Sequence, residues 1–355
     1  MNYSLEVNSS GMLTEPSEDK AYVTIRRLQT VMIPIICIIG IVGNTLAAGA
    51  FLSASLRTTS CCLYLAVKCL SDIGFLSSLF IVWLYRVHVP IFNTNGLCQL
   101  YVFLSYICAF LSVWLVVIIT FENFIRISQP QWVGIICTPR TAKIVIVVCV
   151  TLSLIFYNYP LWTAGIVNVD GSALCSTREQ FQNVVMVLTY VDTFLTLIIP
   201  FVIMLILVPL ITIAALQAYE RKKRLFRNAR RESKGSSPET QVTKLLFAVS
   251  VVFLALHTPG HAIRVKLMIV KFLQHVSPSY LDVTLQRLFE IFYYMDFCLS
   301  LAVYLIFGAN FRKVFAALYF KRCQQQNELR RIQTNVNNTV SKYLLKGNGE
   351  SGVVV

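Results

Sequence analysis

Long apolar stretches that contain no ionisable residue recur along this chain. Five of them lack Lys, Arg, Asp and Glu altogether, at residues 28–56, 87–121, 144–169, 193–219 and 245–263. A helix of about 20 consecutive apolar residues is long enough to cross the roughly 30 Å of hydrocarbon in a bilayer. The pattern therefore predicts five membrane-spanning helices.

Two more apolar runs, at residues 61–86 and 281–307, differ because they carry charges inside them. Away from the ends of these runs, the charged residues are Lys68, Asp72, Arg287, Glu290 and Asp296. A charge at the centre of a membrane helix costs about 2.5–3.5 kcal/mol on insertion scales, so it needs a partner or a function. With these two runs the chain is predicted to be all-α, as a seven-transmembrane helix bundle. A composition of 56 % hydrophobic and 14 % charged residues agrees with that fold class.

The basic residues are clustered, and their positions predict the orientation of the chain. In chain order, the fifth predicted span is at residues 193–219 and the seventh at residues 281–307. One basic cluster follows the fifth span, at residues 221–234, and another follows the seventh, at residues 312–331. Because cytoplasmic loops carry an excess of Lys and Arg, both clusters are expected in the cytoplasm. The prediction is an extracellular tail at 1–28, a membrane bundle at 29–322 and a cytoplasmic tail at 323–355. The net charge of +14 then reflects topology and requires no nucleic acid partner.

The predicted outer tail carries some evidence for and some against this orientation. Lys20, Arg26 and Arg27 lie close to the first span on the outer side, but the two basic clusters outnumber them. Asn2 and Asn8 both start an Asn-X-Ser pattern, which predicts N-glycosylation where the extracellular side is exposed to the modifying enzymes.

Most of the eleven cysteines fall inside predicted spans or on the cytoplasmic side, where thiols stay reduced. Only two are expected outside. Cys98 opens the third span, and Cys175 lies in the loop between the fourth and fifth spans. A disulfide between them would hold that loop over the outer mouth of the bundle. The sequence contains no pattern that predicts a metal site or a cofactor.

Several residues inside the spans occur in the order and spacing of a known family. They are Gly43-Asn44 in the first span, Leu65-Ala66 with Asp72 in the second, Pro200 in the fifth, and Phe253 with Pro259 in the sixth. Together with the seven spans, the orientation and the cysteine pair, they resemble the rhodopsin-like class of G-protein-coupled receptors over residues 28–322. The resemblance implies an extracellular ligand, a heterotrimeric G protein as cytoplasmic partner, and a location in the plasma membrane.

The chain departs from that family at the inner ends of two spans. The usual D/E-R-Y triplet reads Glu122-Asn123-Phe124, so an amide replaces the expected arginine. The usual N-P-x-x-Y reads from Ser300 to Tyr304 and keeps only the tyrosine. These residues are the ones that the resemblance implies will face the G protein. Two interpretations stay open: a divergent receptor with an altered activation equilibrium, or a receptor-fold decoy or atypical receptor that couples weakly.

Charged residues within the second and seventh spans predict an internal ion pair. Lys68 and Asp72 are four residues apart and therefore share one face of a helix. In the family, a sodium ion and polar side chains usually surround the carboxylate that corresponds to Asp72, and Ser112, Asp296 and Ser300 match the rest of that polar cluster. We expect Lys68 to pair with Asp72 or Asp296. One alternative is a retained sodium site. The other is a Lys68 side chain that extends towards the inner membrane interface.

Residues of the outer half predict the class of ligand. Ser105 stands where amine receptors of the family carry an aspartate, and Tyr294 stands where opsins carry the retinal-linked lysine, so neither ligand is expected. The remaining polar and charged candidates for ligand binding are Gln99, Tyr106, Asp192, His257, His261, Arg264, Arg287 and Glu290. Such a set favours a peptide with charged groups. The His257-Thr258-Pro259 sequence of the sixth span resembles invertebrate neuropeptide receptors of the FMRFamide-receptor type. Arg287 and Glu290 could instead simply pair with each other.

Apolar and basic residues alternate at helical spacing after the seventh span. The apolar ones are Phe311, Val314, Phe315, Leu318 and Tyr319, which predicts a short amphipathic eighth helix on the inner membrane surface. Cys323 follows it and is a candidate for palmitoylation. The C-terminal Val353-Val354-Val355 resembles a ligand of PDZ domains, and arrestin is a further expected partner.

The sequence offers no support for an enzyme, because it has no P-loop, H-E-x-x-H or G-x-S-x-G pattern. A transporter or channel is the alternative of another class. It would be expected to show repeated halves with matching broken helices, and none is visible. The predicted function is therefore a receptor that binds an extracellular ligand and signals through a G protein.

Overall fold

Seven long helices occupy the stretches that the apolar pattern indicates. In this computed structural model the described residues are 20–87, 89, 96–169, 172–226, 238–273 and 279–321. Within them, seven helices are long and apolar enough to cross a membrane, and a short helix follows the last one. The predicted fold class, an all-α bundle of seven transmembrane helices, is thereby confirmed.

The helices are numbered in chain order. They are α1 (Lys20–Phe51), α2 (Ser60–Arg86), α3 (Leu97–Ser128), α4 (Pro139–Phe156), α5, α6 (Pro238–Leu273), α7 (Tyr280–Phe307) and the short α8 (Ala309–Phe315). Helix α5 consists of Gln182–Asp192 and Ile199–Phe226, which a π-helical turn at Thr193–Ile198 joins. A second π-helical turn, Ala316–Lys321, continues α8.

Local signals explain where several helices begin. The Thr138 hydroxyl caps α4 by accepting a hydrogen bond from the Thr141 amide, and Pro139 fits the first helical turn. The Ser279 hydroxyl caps α7 in the same way. Helix α1 includes residues 20–27, because no Gly or Pro interrupts them before the first charge-free run. The expected boundary between tail and bundle at residue 28 therefore falls inside α1.

A β-hairpin connects α4 to α5, and the hydrophobic pattern did not predict it. Strands β1 (Ala164–Val169) and β2 (Ser172–Thr177) are antiparallel, with Ile166 opposite Cys175. Cys175 forms a disulfide with Cys98 in the first turn of α3. The bridge ties the hairpin to one end of the bundle. We call this the outer end, and the end that carries α8 the inner end.

Close packing of α1 against α2 and α7 involves the Gly43-Asn44 region. The Asn44 side chain donates hydrogen bonds to the carbonyl oxygens of Gly40 (2.9 Å) and of Phe297 in α7 (2.7 Å). A Cβ atom at Gly40 would lie only 2.5 Å from the Leu76 side chain of α2. Glycine therefore allows the three helices to meet, and the buried amide of Asn44 satisfies its donors across the contact.

Helix α8 packs onto the inner end through aromatic rings. Phe311 contacts Phe51 of α1 (4.7 Å between ring centroids) and Tyr304 of α7 (5.7 Å). The Tyr319 hydroxyl donates a hydrogen bond to the Leu46 carbonyl oxygen of α1 (2.9 Å). These contacts fix the inner ends of α1 and α7 relative to each other.

Candidate functional site

A buried ion pair lies in the middle of the bundle, within α2. The Lys68 ammonium is 2.7 Å from Asp72 Oδ2, and Ser112 of α3 donates a 2.6 Å hydrogen bond to Asp72 Oδ1. Lys68 is only 2 % exposed and Asp72 is fully buried. The helical spacing of four residues produces the Lys68–Asp72 contact, while the contact with Ser112 depends on the packing of α2 against α3.

Two residues from α6 and α7 complete this polar cluster. Asp296 Oδ2 lies 3.8 Å from the Lys68 ammonium and 3.5 Å from His257 Nε2. The Ser300 hydroxyl donates a hydrogen bond to the Asp296 carbonyl oxygen (3.1 Å), so this bond stays within α7. One ammonium thus lies between two buried carboxylates and links α2 to α7. His257, which is also expected among the ligand contacts, lies in this cluster.

The sodium ion that the family resemblance implies does not fit beside this lysine. Both oxygens of Asp72 are already engaged, one by the Lys68 ammonium and one by the Ser112 hydroxyl. The adjoining cavity, which Asp296 and Tyr304 help to line, has a volume of about 10 Å³. Such a cavity holds about one water molecule, which is too little for a cation with its own ligands. The ammonium therefore supplies the positive charge in this cluster.

At the inner end of α3, Glu122 pairs with Arg126, an arginine that the sequence motifs did not indicate. Arg126 Nη2 is 2.6 Å from Glu122 Oε1, and Ser60 of α2 donates a 2.6 Å hydrogen bond to the same oxygen. Arg126 Nη2 also donates to Ser60 Oγ (3.0 Å). Arg126 follows Asn123 by three residues, so it lies about one helical turn further along α3. Its position at i+4 from Glu122 was the available signal.

Asn123 itself is fully buried, and neither atom of its amide has a hydrogen-bond partner among the described residues. One turn away, Thr120 Oγ1 and Ser250 Oγ of α6 share a 2.6 Å hydrogen bond. In the described part of the chain, a neutral hydrogen bond thus joins α3 to α6 near their inner ends. Tyr304 is also buried, against Phe51, whereas Phe124 is half-buried.

The outer half contains a mostly apolar cavity of about 280 Å³. It lies between α2, α3 and α7, beneath the disulfide. Its lining residues are Phe75, Ser78, Leu79, Val82, Tyr101, Val102, Ser105, Cys175 and Tyr294. None of the eight expected ligand contacts lines it. Ser105 and Tyr294, which helped to exclude amines and retinal, do.

Several expected ligand residues have partners within the protein instead. Gln99 donates a 3.2 Å hydrogen bond to the Ala164 carbonyl oxygen and helps to hold the hairpin. Tyr106 stacks on Tyr157, the residue that directly follows α4 (5.6 Å between ring centroids). The Tyr157 hydroxyl donates a 2.7 Å hydrogen bond to Asp192 of α5. The structure therefore brings Tyr106 and Asp192 together through Tyr157, in a contact between α3, α4 and α5.

The remaining expected ligand residues lie on α6 and α7. His261 packs edge-on against Phe201 of α5 (5.3 Å), and the Arg264 guanidinium lies 5.4 Å from the Tyr293 ring centroid. At the outer end of α7, Glu290 Oε2 is 3.4 Å from Arg287 Nη1, as in the simpler of the two expectations. Gln29 of α1 also donates to Glu290 Oε2 (3.2 Å). Glu290 thus faces α1.

A profile of the seven-transmembrane receptor family, the rhodopsin family, matches residues 43–304, which is more than half of the chain. The chain belongs to the rhodopsin family of seven-transmembrane receptors. This family is one of receptors and not of enzymes. The polar cluster around Lys68 and the Glu122-Asn123-Phe124 sequence of α3 are therefore departures from the usual family pattern within a receptor bundle.

Two receptors among known proteins are similar to this rhodopsin-family receptor at low identity. The FMRFamide receptor of Drosophila melanogaster is 24 % identical over 237 residues, which cover 64 % of this chain and 41 % of that protein. The mouse protein named "Probable G-protein coupled receptor 34" is 22 % identical over 321 residues, which cover 88 % of this chain and 81 % of that protein. The chain thus spans about two fifths of the length of the Drosophila receptor.

Some expected sites of this receptor lie outside the described residues. These are the glycosylation sites Asn2 and Asn8 and the palmitoylation site Cys323. Within the described ranges, no group of three or more His, Cys, Asp or Glu side chains could hold a metal ion.

Proposed function

We propose that this receptor binds an extracellular peptide at its outer end and activates a heterotrimeric G protein at its inner end. The observation that carries this proposal is the 280 Å³ cavity beneath the tethered hairpin, in a chain of a receptor family. A cavity lined mainly by apolar and aromatic side chains accepts an apolar group of a ligand. The proposal also includes an extracellular N-terminus, a cytoplasmic C-terminus and the plasma membrane.

The charges around the outer end support a peptide over a small apolar ligand. Arg264, Arg287 and Glu290 are half-buried at the outer ends of α6 and α7, where they would contact the polar part of a ligand whose apolar side chain fills the cavity. The name of the similar Drosophila receptor supports a neuropeptide such as FMRFamide as the first class to test. A screen of amidated neuropeptides, read out as calcium or cyclic-nucleotide responses in transfected cells, tests this proposal.

Filling the cavity should abolish or strongly weaken binding of a peptide found in that screen. In the described part of the chain, the Ser105 hydroxyl hydrogen bonds only to the Val102 carbonyl oxygen of its own helix, so there its side chain holds no other helix. We expect Ser105→Trp to weaken binding about 10–100-fold, because overpacking a filled site costs about 1–3 kcal/mol. A labelled peptide and surface-expressed receptor provide the measurement.

Ser105→Ala is the matched control, since it leaves the cavity open and should bind the peptide within about twofold of the wild type. Equal binding by Ser105→Trp and Ser105→Ala, at equal surface expression, would place the ligand elsewhere in the bundle.

A second candidate function is a receptor that couples weakly to G proteins. The specific observation in its favour is Asn123, whose buried amide replaces the arginine expected there. Arg126 does not substitute for it in this arrangement, because Glu122 and Ser60 engage its guanidinium. The two candidates share the outer site and differ only at the inner end.

Asn123→Arg distinguishes the two candidates in a G-protein recruitment assay. For the weakly coupling receptor, we expect the wild type to recruit no G protein and Asn123→Arg to gain recruitment. Asn123→Gln, which lengthens the amide without adding charge, is the control and should resemble the wild type. Recruitment by the wild type at a level that Asn123→Arg does not increase supports the coupled receptor.

A further inference from the structure

A small polar cleft lies between the outer ends of α1 and α7, apart from the cavity beneath the hairpin. It has a volume of about 200 Å³ and is lined by Tyr22, Arg26, Gln29 and Arg287. The three α1 residues are spaced by four and three positions, so they share the face that meets Arg287 of α7. Pockets for drug-sized ligands measure roughly 300–1,000 Å³, so this cleft suits a smaller polar group.

Positive charge exceeds negative charge in this cleft. Among the described residues, Arg26 forms no ion pair, and its side chain is exposed. Arg287 contacts Glu290 loosely, at 3.4 Å, and the same Glu290 oxygen also accepts a hydrogen bond from Gln29. Counted over the residues that the structure describes, two guanidinium groups therefore face a cleft with one neighbouring carboxylate, and that carboxylate is already engaged.

Contacts beneath the cleft hold its two walls together. Gln29 is 2 % exposed and donates a 2.7 Å hydrogen bond to the Arg287 carbonyl oxygen, which fixes α1 against α7. At the next residue of α1, Trp83 of α2 donates its indole N–H to the Thr30 carbonyl oxygen (2.7 Å). Trp side chains concentrate at the interface between membrane and water, so Arg26 lies near the level of lipid headgroups.

We propose that this cleft binds a phosphate group, with Arg26, Arg287 and the Tyr22 hydroxyl as donors. The planar guanidinium offers paired N–H groups that match phosphate oxygens, and two of them on opposite walls contact a tetrahedral anion from two sides. At this level, the phosphate belongs either to a lipid headgroup or to a free phosphorylated molecule. This inference does not depend on peptide binding or G-protein coupling, because its test measures anion binding alone.

Thermal unfolding of the purified receptor in detergent, with inorganic phosphate as the probe, tests the cleft. Buried thiols such as Cys37 and Cys69 become reactive on unfolding, so a thiol-reactive dye reports Tm. We expect phosphate to raise Tm in a saturable way, beyond chloride at equal ionic strength. Arg26→Gln and Arg287→Gln should weaken the apparent affinity about tenfold, as loss of one charge-assisted hydrogen-bonding partner implies.

Two further variants make the test specific. Arg27→Gln removes the same charge from the neighbouring position on α1, outside the cleft, and should keep phosphate affinity within about twofold of the wild type, as a screened charge would. Glu290→Gln removes the carboxylate that contacts Arg287 and should strengthen phosphate binding. If Arg287→Gln does not fold, the phosphate affinities of Arg26→Gln and Arg27→Gln are still compared, because both arginines are exposed.

Receptor in phosphatidylcholine nanodiscs separates the two sources of phosphate. A rise in Tm with phosphatidic acid but not with oleate, lost in Arg26→Gln, identifies a lipid phosphate. Stabilisation by inorganic phosphate without an effect of phosphatidic acid identifies a free phosphorylated molecule. The proposal is overturned if neither probe gives a saturable shift, or if Arg27→Gln weakens binding as much as Arg26→Gln.

Discussion

Replacing Lys68 by Leu is expected to destabilise the receptor by about 3–5 kcal/mol, because it leaves buried carboxylates without their cation. Asp72 and Asp296 both lie within 4 Å of the Lys68 ammonium and are almost completely buried. Loss of the lysine also creates room for a small cation. We therefore expect Tm of Lys68→Leu to rise with sodium chloride relative to potassium chloride, while the wild type responds equally to both salts.

Lys266→Leu is a matched control for this experiment. Lys266 also pairs with an aspartate, Asp282, at 2.6 Å, but its side chain is 57 % exposed, so the loss should cost at most about 1 kcal/mol. Adding Asp72→Asn to Lys68→Leu should recover stability and reduce the sodium response, since it removes one unpaired charge. A wild type that sodium stabilises specifically, or a Lys68→Leu variant as stable as Lys266→Leu, would contradict the role of the internal ammonium.

Breaking the disulfide has the second large expected effect. Cys98→Ser frees the hairpin from α3, and losing a native disulfide typically costs about 2–5 kcal/mol, although helices within the closed segment reduce the gain from chain entropy. The hairpin also roofs the 280 Å³ cavity, so peptide binding should fall with stability. Surface expression, Tm and peptide binding provide the measurements.

The cysteine variants should behave as one unit. Cys175→Ser and the double variant should match Cys98→Ser, because each removes the same bond. Cys137→Ser serves as the control. Burial, together with the negative charge of Glu122, raises the pKa of the Cys137 thiol to about 11, so the exchange removes no thiolate at neutral pH. Additive losses in the double variant would show that the single changes act through packing and not through the bridge.

One contact of the polar cluster, between Lys68 and Asp72, could be predicted from local spacing alone. Lys68 and Asp72 pair because a helix places residues four apart side by side, whatever surrounds them. Arg126 and Glu122 obey the same rule, but the family pattern drew attention to Asn123 instead. The approach of Asp296 and His257 to Lys68 joins three helices and depends on their packing, which no spacing within one helix reports.

The partners of the polar residues in the outer half were harder to predict than the Lys68–Asp72 pair. Polar residues such as Asp192 and Glu290 are expected to contact a ligand, and in the structure they also accept hydrogen bonds from Tyr157 and Gln29 across neighbouring helices. A polar side chain in a membrane helix must find a partner, and sequence does not tell whether that partner is a ligand or another helix. The apolar lining of the cavity resembles any lipid-facing surface in composition, so it gave no signal.

Hydropathy by itself determined that this chain forms seven membrane helices, because the energy of placing apolar residues in lipid depends on their local composition. Helical spacing likewise determined the Lys68–Asp72 and Glu122–Arg126 pairs. Only the tertiary structure decided which helix faces meet, and with them the cavity beneath the hairpin, the place of His257 beside Asp296 and the cleft between Arg26 and Arg287. Those contacts depend on how residues such as Gly40 and Leu76 fit together, and residues far apart in the chain set that fit.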